Sequence, residues 1–286
     1  MKPAHQFLAL LVVAIWGTNF VFIRLGLDEL PPFTFAALRF ALVGLPLVFF
    51  VPKPNVSWKA IISYGLFIGV GQFGLLFWAM KADISPGLAS LIVQMQVFFT
   101  VFLSAAFLRE RISSMQLLSL FVCLVGLLVI IFYTDGDTTH FGIILVLLAG
   151  LCWALGNIVV KQAGKVEIIA FLAWSSLFCA PVLFAVALIV EGGAQMASGI
   201  INLSAQGWLI VVWQTVGNTL IGYGLWNLLL NRYSAATVAP WALLVPVFGM
   251  LASAITLAEP MPIWKISAAT LIVIGLALNM RSQQTV

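Results

Sequence analysis

Polar and aromatic side chains recur at one-face helical spacing inside the long apolar runs of this 286-residue chain. Trp16 and Asn19 stand three apart, and Trp153 and Asn157 four apart, so each pair shares a helix face. An amide both donates and accepts, so it can meet either end of a zwitterion without carrying charge. An indole adds a broad wall with one donor. Unpaired polar groups are costly in hydrocarbon and turn toward the bundle interior or a wet cavity. Two readings of the asparagines stand: they orient a ligand, or they glue helix to helix.

Further candidates follow the same logic. Gln72 lies on a stripe with Gly65, Gly69 and Leu76. The surrounding Gly69-Val70-Gly71-Gln72-Phe73-Gly74 matches the dinucleotide fingerprint, but that motif needs a strand before it and this one sits mid-run. Its glycines read better as close helix contacts. Ser90 and Gln94 share a face while Gln96 points elsewhere, so one glutamine lines a cavity and the other packs. Gln214 and Asn218 are four apart, with Tyr223 beyond and Trp241 and Pro246 further on. The candidate ligand-lining set is Trp16, Asn19, Gln72, Gln94, Trp153, Asn157, Asn218, Tyr223 and Trp241. Pro246 frees a carbonyl and either kinks its helix statically or marks a broken helix at a site. Pro46 and Pro181 shape the scaffold. Arg39 is the cation well inside an apolar run. It either serves the structure, by snorkelling or bonding carbonyls, or meets a ligand carboxylate.

What is absent narrows the chemistry. Every Asp and Glu falls at a run end or in a loop, so no central carboxylate awaits a cationic drug or a proton. There is no H-E-x-x-H, no paired-carboxylate metal motif and no Walker motif, so neither metal nor cofactor is expected. His5 and His140 lie near run termini. Cys123, Cys152 and Cys179 sit in apolar runs, as small packing residues rather than disulfides or zinc ligands. The chain reads as no enzyme. A membrane enzyme acting on a lipid-linked substrate is the alternative class, and it would need a polar catalytic cluster.

The elements that must position these residues are membrane spans. The chain is 63% hydrophobic and 8% charged, against roughly 25% charged for a soluble domain. Its mean hydropathy is +1.15. Apolar runs near 7–26, 33–51, 60–80, 86–108, 115–133, 141–160, 168–190, 207–230, 234–257 and 263–280 give ten candidate spans. They must be helices, because lipid offers the backbone no partner. The first run lacks a small-residue cleavage site and reads as a retained span.

The chain repeats itself. Trp16 precedes Arg24 by eight residues, as Trp153 precedes Lys161, at an offset of 137. Ser104, Ala105, Glu110 and Gly126 match Ser253, Ala254, Glu259 and Gly275 at an offset of 149. The polar stretch 191–205 is the natural place for the additional residues. Two five-helix units, 1–135 and 141–281, follow. Five is odd, so the second enters the membrane from the opposite side, an arrangement typical of secondary transporters. With the N-terminus cytoplasmic, nine Lys and Arg fall inside and three outside, so both termini are placed in the cytoplasm. The net charge of +4 is then a topology signal and implies no nucleic-acid partner.

Residues 13–20 (Val-Ala-Ile-Trp-Gly-Thr-Asn-Phe), 37–40 (Ala-Leu-Arg-Phe) and 107–111 (Phe-Leu-Arg-Glu-Arg) resemble the first half of a drug/metabolite transporter of the EamA family. Residues 153–157 with Lys161, and the stretch ending Leu257-Ala258-Glu259, resemble its second half. Residues 87–91, 94–100, 238–240 and 243–247 are similar to the O-acetylserine/cysteine exporter branch. Thr18 and Pro260 depart mildly from the pattern. The resemblance covers essentially the whole chain. It implies an all-α, polytopic membrane protein with ten transmembrane helices in two inverted five-helix repeats. It further implies alternating-access export of small zwitterionic amino-acid metabolites across a bacterial inner membrane. Related branches carry threonine, homoserine or aromatic amino acids. Beyond substrate and lipid bilayer no partner is implied, and a monomer would suffice.

Overall fold

A computed structural model describes residues 1–108, 112–133, 138–164, 166–233, 238, 241, 242 and 244–284. Arg109, Glu110, Arg111, Asp135, Asp137, Lys165, Ala239, Pro240, Leu243 and Val286, which entered the reading above, lie outside the described residues. The chain is an all-helical, multi-pass membrane protein. Among the described residues its helices are α1 (Pro3–Glu29), α2 (Pro32–Leu47), α3 (Trp58–Ala82), α4 (Pro86–Phe107), α5 (Ser114–Phe132) and α6 (His140–Ala163). They continue as α7 (Ile168–Val190), α8 (Gly193–Ile201), α9 (205–232), α10 (Leu244–Thr256) and α11 (Ile263–Gln284).

Seven of these are long and apolar enough to cross a membrane, and an eighth is reached if α8 and α9, bent by 100°, count as one span. Helices α2 and α10 are shorter apolar helices. The 16 residues of α2 rise about 24 Å, short of a ~30 Å hydrocarbon core. The apolar run continues past Leu47 in non-helical backbone, and Phe49 and Phe50 are left more than 80% exposed. Exposed Phe132, Ile189, Ile255 and Ile263 make the same point elsewhere. Such surface is tolerable against lipid and costly against water.

Helix α5 packs along α11, α2 along α7, α1 against α10 and α9, and α6 against α4 and α3. Small residues permit these approaches. A Cβ on Gly126 would come within 2.8 Å of the Ile272 side chain, and one on Gly275 within 2.4 Å of Cys123 Sγ. In α3, a Cβ on Gly65 would meet the Ser175 carbonyl at 2.5 Å, and one on Gly71 would meet Cys152 Sγ at 2.6 Å. The Gly-x-Gly-x-x-Gly stretch is thus a packing surface inside a helix.

Departures from plain α-helical geometry matter. Residues Gly65–Gly74 of α3 and Trp213–Ile221 of α9 are π-helical. Wide turns of this kind are rare and gather at functional sites. Helix α4 carries a 3₁₀ turn at Val93–Met95. The polar stretch 191–205, placed between spans in the sequence reading, contains α8. Gly192, at φ +83, ends α7, and Met196 then packs onto the main core.

Carboxylates tie the helix ends together. Glu191 accepts from Phe33 N at 2.5 Å and from Thr34 N at 3.1 Å, capping α2. Glu29 accepts from Ser204 N at 2.8 Å, ahead of α9. Glu259 accepts from Gly87 N at 3.0 Å at the start of α4, from Ser85 and Ser253 hydroxyls, and from Lys265 Nζ at 3.0 Å. Each satisfies a backbone donor that its own helix leaves open. Lys265, counted from the sequence among the three outer-side cations, is fully buried at the start of α11.

Candidate functional site

A cavity of about 310 Å³ lies where α1, α3, α4, α6, α9 and α10 meet. The structure brings Trp16, Asn19, Gln72, Gln94, Trp153, Asn157, Asn218 and Tyr223 to its wall, eight of the nine residues singled out from the sequence. Trp241 is the exception. It packs, half-buried, on the small cluster of Ala9, Leu229 and Val238, and the wall carries Ala242 instead.

Helix spacing explains the convergence. Trp16 and Asn19 on α1 face the same hollow as Trp153 and Asn157 on α6. Trp16 stacks in tilted contact with Tyr223 and Trp226, each centroid 5.2 Å away, and donates Nε1–H to the Asn218 carbonyl at 3.3 Å. This makes one rigid aromatic wall. Trp226, Phe20 and Phe73 were not singled out from the sequence, because an aromatic in an apolar run carries no signal separating cavity from core.

Gln94 and Gln96 both line the cavity, which corrects the expectation that only one would. An α-helix sets residues two apart about 200° around the axis. The 3₁₀ turn at Val93–Met95, at about 120° per residue, narrows the angle between the two side chains.

The two asparagines are not equivalent. Asn157 Nδ2 donates to Gln96 Oε1 and to Thr100 Oγ1, both at 3.1 Å, so it fastens α6 to α4. Asn19 is 4% exposed and its Oδ1 has no partner. Gln72 Oε1 is likewise buried and unpartnered. Buried polar groups are ordinarily paired, so two acceptors left open at one cavity wall point to a donor that comes and goes.

No charged side chain is among the described residues that line the cavity. Arg39 does not snorkel. It is 1% exposed, and its Nη1 and Nη2 donate to Gln214 Oε1 and Thr219 Oγ1, both at 3.1 Å, on the π stretch of α9. A second hollow, about 460 Å³, lies nearer the far ends of α1 and α3. Arg24, Asp28, Lys81, Ser85 and Glu259 line it, so it is polar where the first is apolar.

A bundle of apolar helices around a mostly apolar, aromatic-walled cavity with a few convergent amides is the architecture of a membrane carrier. The chain belongs to the EamA-like transporter family, which matches it over residues 5–132 and again over 140–281. It is 37% identical to a protein of Salmonella typhimurium described as "Probable amino-acid metabolite efflux pump", over 98% of this chain and 95% of that one. An Escherichia coli protein of the same description is also 37% identical, with the same coverage. A solved crystal structure superposes at TM-score 0.67 over 97% of this chain and 96% of its own, at 17% identity, a likeness of fold.

Proposed function

We propose that this protein is a secondary exporter of small zwitterionic amino-acid metabolites, of the cysteine or O-acetylserine type, and that the aromatic cavity is its substrate site. The observation that carries the reading is the cavity wall itself. It offers open amide oxygens and indoles but, among its described residues, no charge. Such a wall can orient an ammonium and a carboxylate and has nothing to neutralise a lipophilic cation. Its volume is at the small end of ligand pockets, which run to roughly 300–1,000 Å³. The relatives described as amino-acid metabolite efflux pumps support the same substrate class.

Alternating access in this reading is rocking between two inverted halves, 1–135 and 141–281, about the cavity. In this reading the seven long spans, the bent pair and the two short apolar helices are counted as ten crossings. The packing pattern supports a two-fold repeat. Exchanging the halves turns the α1–α10 contact into α6–α4 and α1–α9 into α6–α3, and returns α2–α7 and α5–α11 to themselves. Both π stretches fall in the third crossing of their half. The outward path runs along α1 and α3 to the polar hollow, past buried Ile23, Leu76 and Met80. In this reading the protein lies in an inner membrane with both termini cytoplasmic.

Proteoliposomes test this. Uptake of labelled cysteine or O-acetylserine should be saturable and blocked by excess unlabelled substrate, and quaternary-ammonium dyes should move at the rate of empty vesicles. Strong dye transport with no amino-acid movement would overturn the assignment.

A further inference from the structure

We infer that Arg39 sets the charge preference of the cavity without entering it, favouring ligands that present a carboxylate and disfavouring cations. The inference rests on the cavity being the substrate site.

The guanidinium is 1% exposed, and its hydrogen-bond partners are neutral, Gln214 and Thr219. Its Nε has no partner. Among the described residues no carboxylate pairs with it, whereas Arg24 pairs with Asp28 and Lys265 with Glu259. Amides and hydroxyls solvate a cation but do not cancel its field. Burying a charge is costly, and a charge kept inside a span without a counter-ion is held for function.

Position gives that field a target. The guanidinium carbon sits 3.9 Å from the Phe73 ring centroid, and Phe73 is part of the cavity wall. The ring borders the ligand space and holds the cation against its face. Tyr223 is on the same wall. The two π stretches place these groups: Gln72 and Phe73 lie on one, Gln214, Asn218 and Thr219 on the other. The arrangement draws a ligand's carboxylate toward Phe73 and Tyr223, and leaves its ammonium to the open oxygens of Asn19 and Gln72. A unit charge one ring-thickness beyond contact, at an effective dielectric near 20, shifts the affinity of an opposite charge by on the order of ten-fold or more.

The test uses three ligands with one side chain: L-cysteine, its cationic methyl ester and its anionic N-acetyl derivative. Each is titrated calorimetrically into the purified parent, Arg39→Met and Arg39→Lys. The parent should bind cysteine at least ~10-fold tighter than the ester, and the N-acetyl anion no more weakly than the ester. Arg39→Met should collapse the cysteine-to-ester ratio by about ten-fold, and Arg39→Lys, which keeps the charge, should preserve it. A purely structural Arg39 would weaken all three ligands in proportion and leave the ratio unchanged, and that result overturns the inference. So does a parent that binds the ester as tightly as cysteine, which needs no variant to fold. Arg39→Gln replaces Arg39→Met if the latter does not purify folded. If none of the three ligands binds the parent, the substrate-site reading fails and this inference with it. If cysteine binds and Asn19→Ala weakens it while the ratio stays flat across the Arg39 variants, the inference fails alone.

Discussion

Asn19 and Asn157 each stand one helical turn past the matching tryptophans, Trp16 and Trp153, and do different work. Asn157 spends its amide on Gln96 and Thr100, so it is a helix fastener that also borders the cavity. Asn19 keeps its carbonyl oxygen open. Removing the Asn157 amide should therefore lower stability: Asn157→Ala is expected to cost roughly 1–3 kcal/mol, two modest hydrogen bonds and two partners left behind. A thermal melt of the detergent-purified variant checks it; an unchanged midpoint would show that the fastening contributes nothing. Residue type and spacing made eight of the wall residues legible. They failed at Gln96, beside a 3₁₀ turn, and at Trp241, whose neighbour Ala242 takes the wall position. Neither offset leaves a mark in the sequence.

At the scale of elements, the apolar runs located the helices because lipid leaves a chain few other choices. The π stretches of α3 and α9 were hidden, since their glycines and glutamines fit an α-helix equally well. So was α8, whose few apolar residues sit among Glu, Gly, Gln and Ser and resemble a loop. The α5–α11 seam was half legible. Gly126 and Gly275 stood out as an internal match, and each proves to be the close-approach point for the other's helix. No residue of this seam lines the cavity. Gly126→Leu should wedge the seam, destabilising by about 1–3 kcal/mol, yet leave ligand affinity of the folded protein unchanged. Paired melting and binding measurements decide this. A loss of affinity with an unchanged melt would mean that the seam is coupled to the site.

For the whole molecule, charge asymmetry predicts orientation. The stretch 191–205 should face outward and the termini inward, following nine inner against three outer Lys and Arg. Single cysteines placed in α8 should react with a membrane-impermeant maleimide added to intact cells. Labelling only from the cytoplasmic face would overturn the inverted ten-crossing arrangement. The carboxylate caps fit that orientation. Glu29, Glu191 and Glu259 all cap helices at the end assigned outside, and each reaches from one half to the other.

The central claim is that the aromatic cavity recognises a zwitterion through its open amide oxygens. The most direct measurement is equilibrium binding of labelled cysteine to detergent-purified, folded parent, Asn19→Ala and Gln72→Ala. Losing a hydrogen bond to a charged group costs about 1.5–3 kcal/mol, so each variant should bind roughly ten- to a hundred-fold more weakly at an unchanged stoichiometry. If both bind as tightly as the parent, the oxygens of Asn19 and Gln72 hold no ligand and the cavity is not the site of recognition.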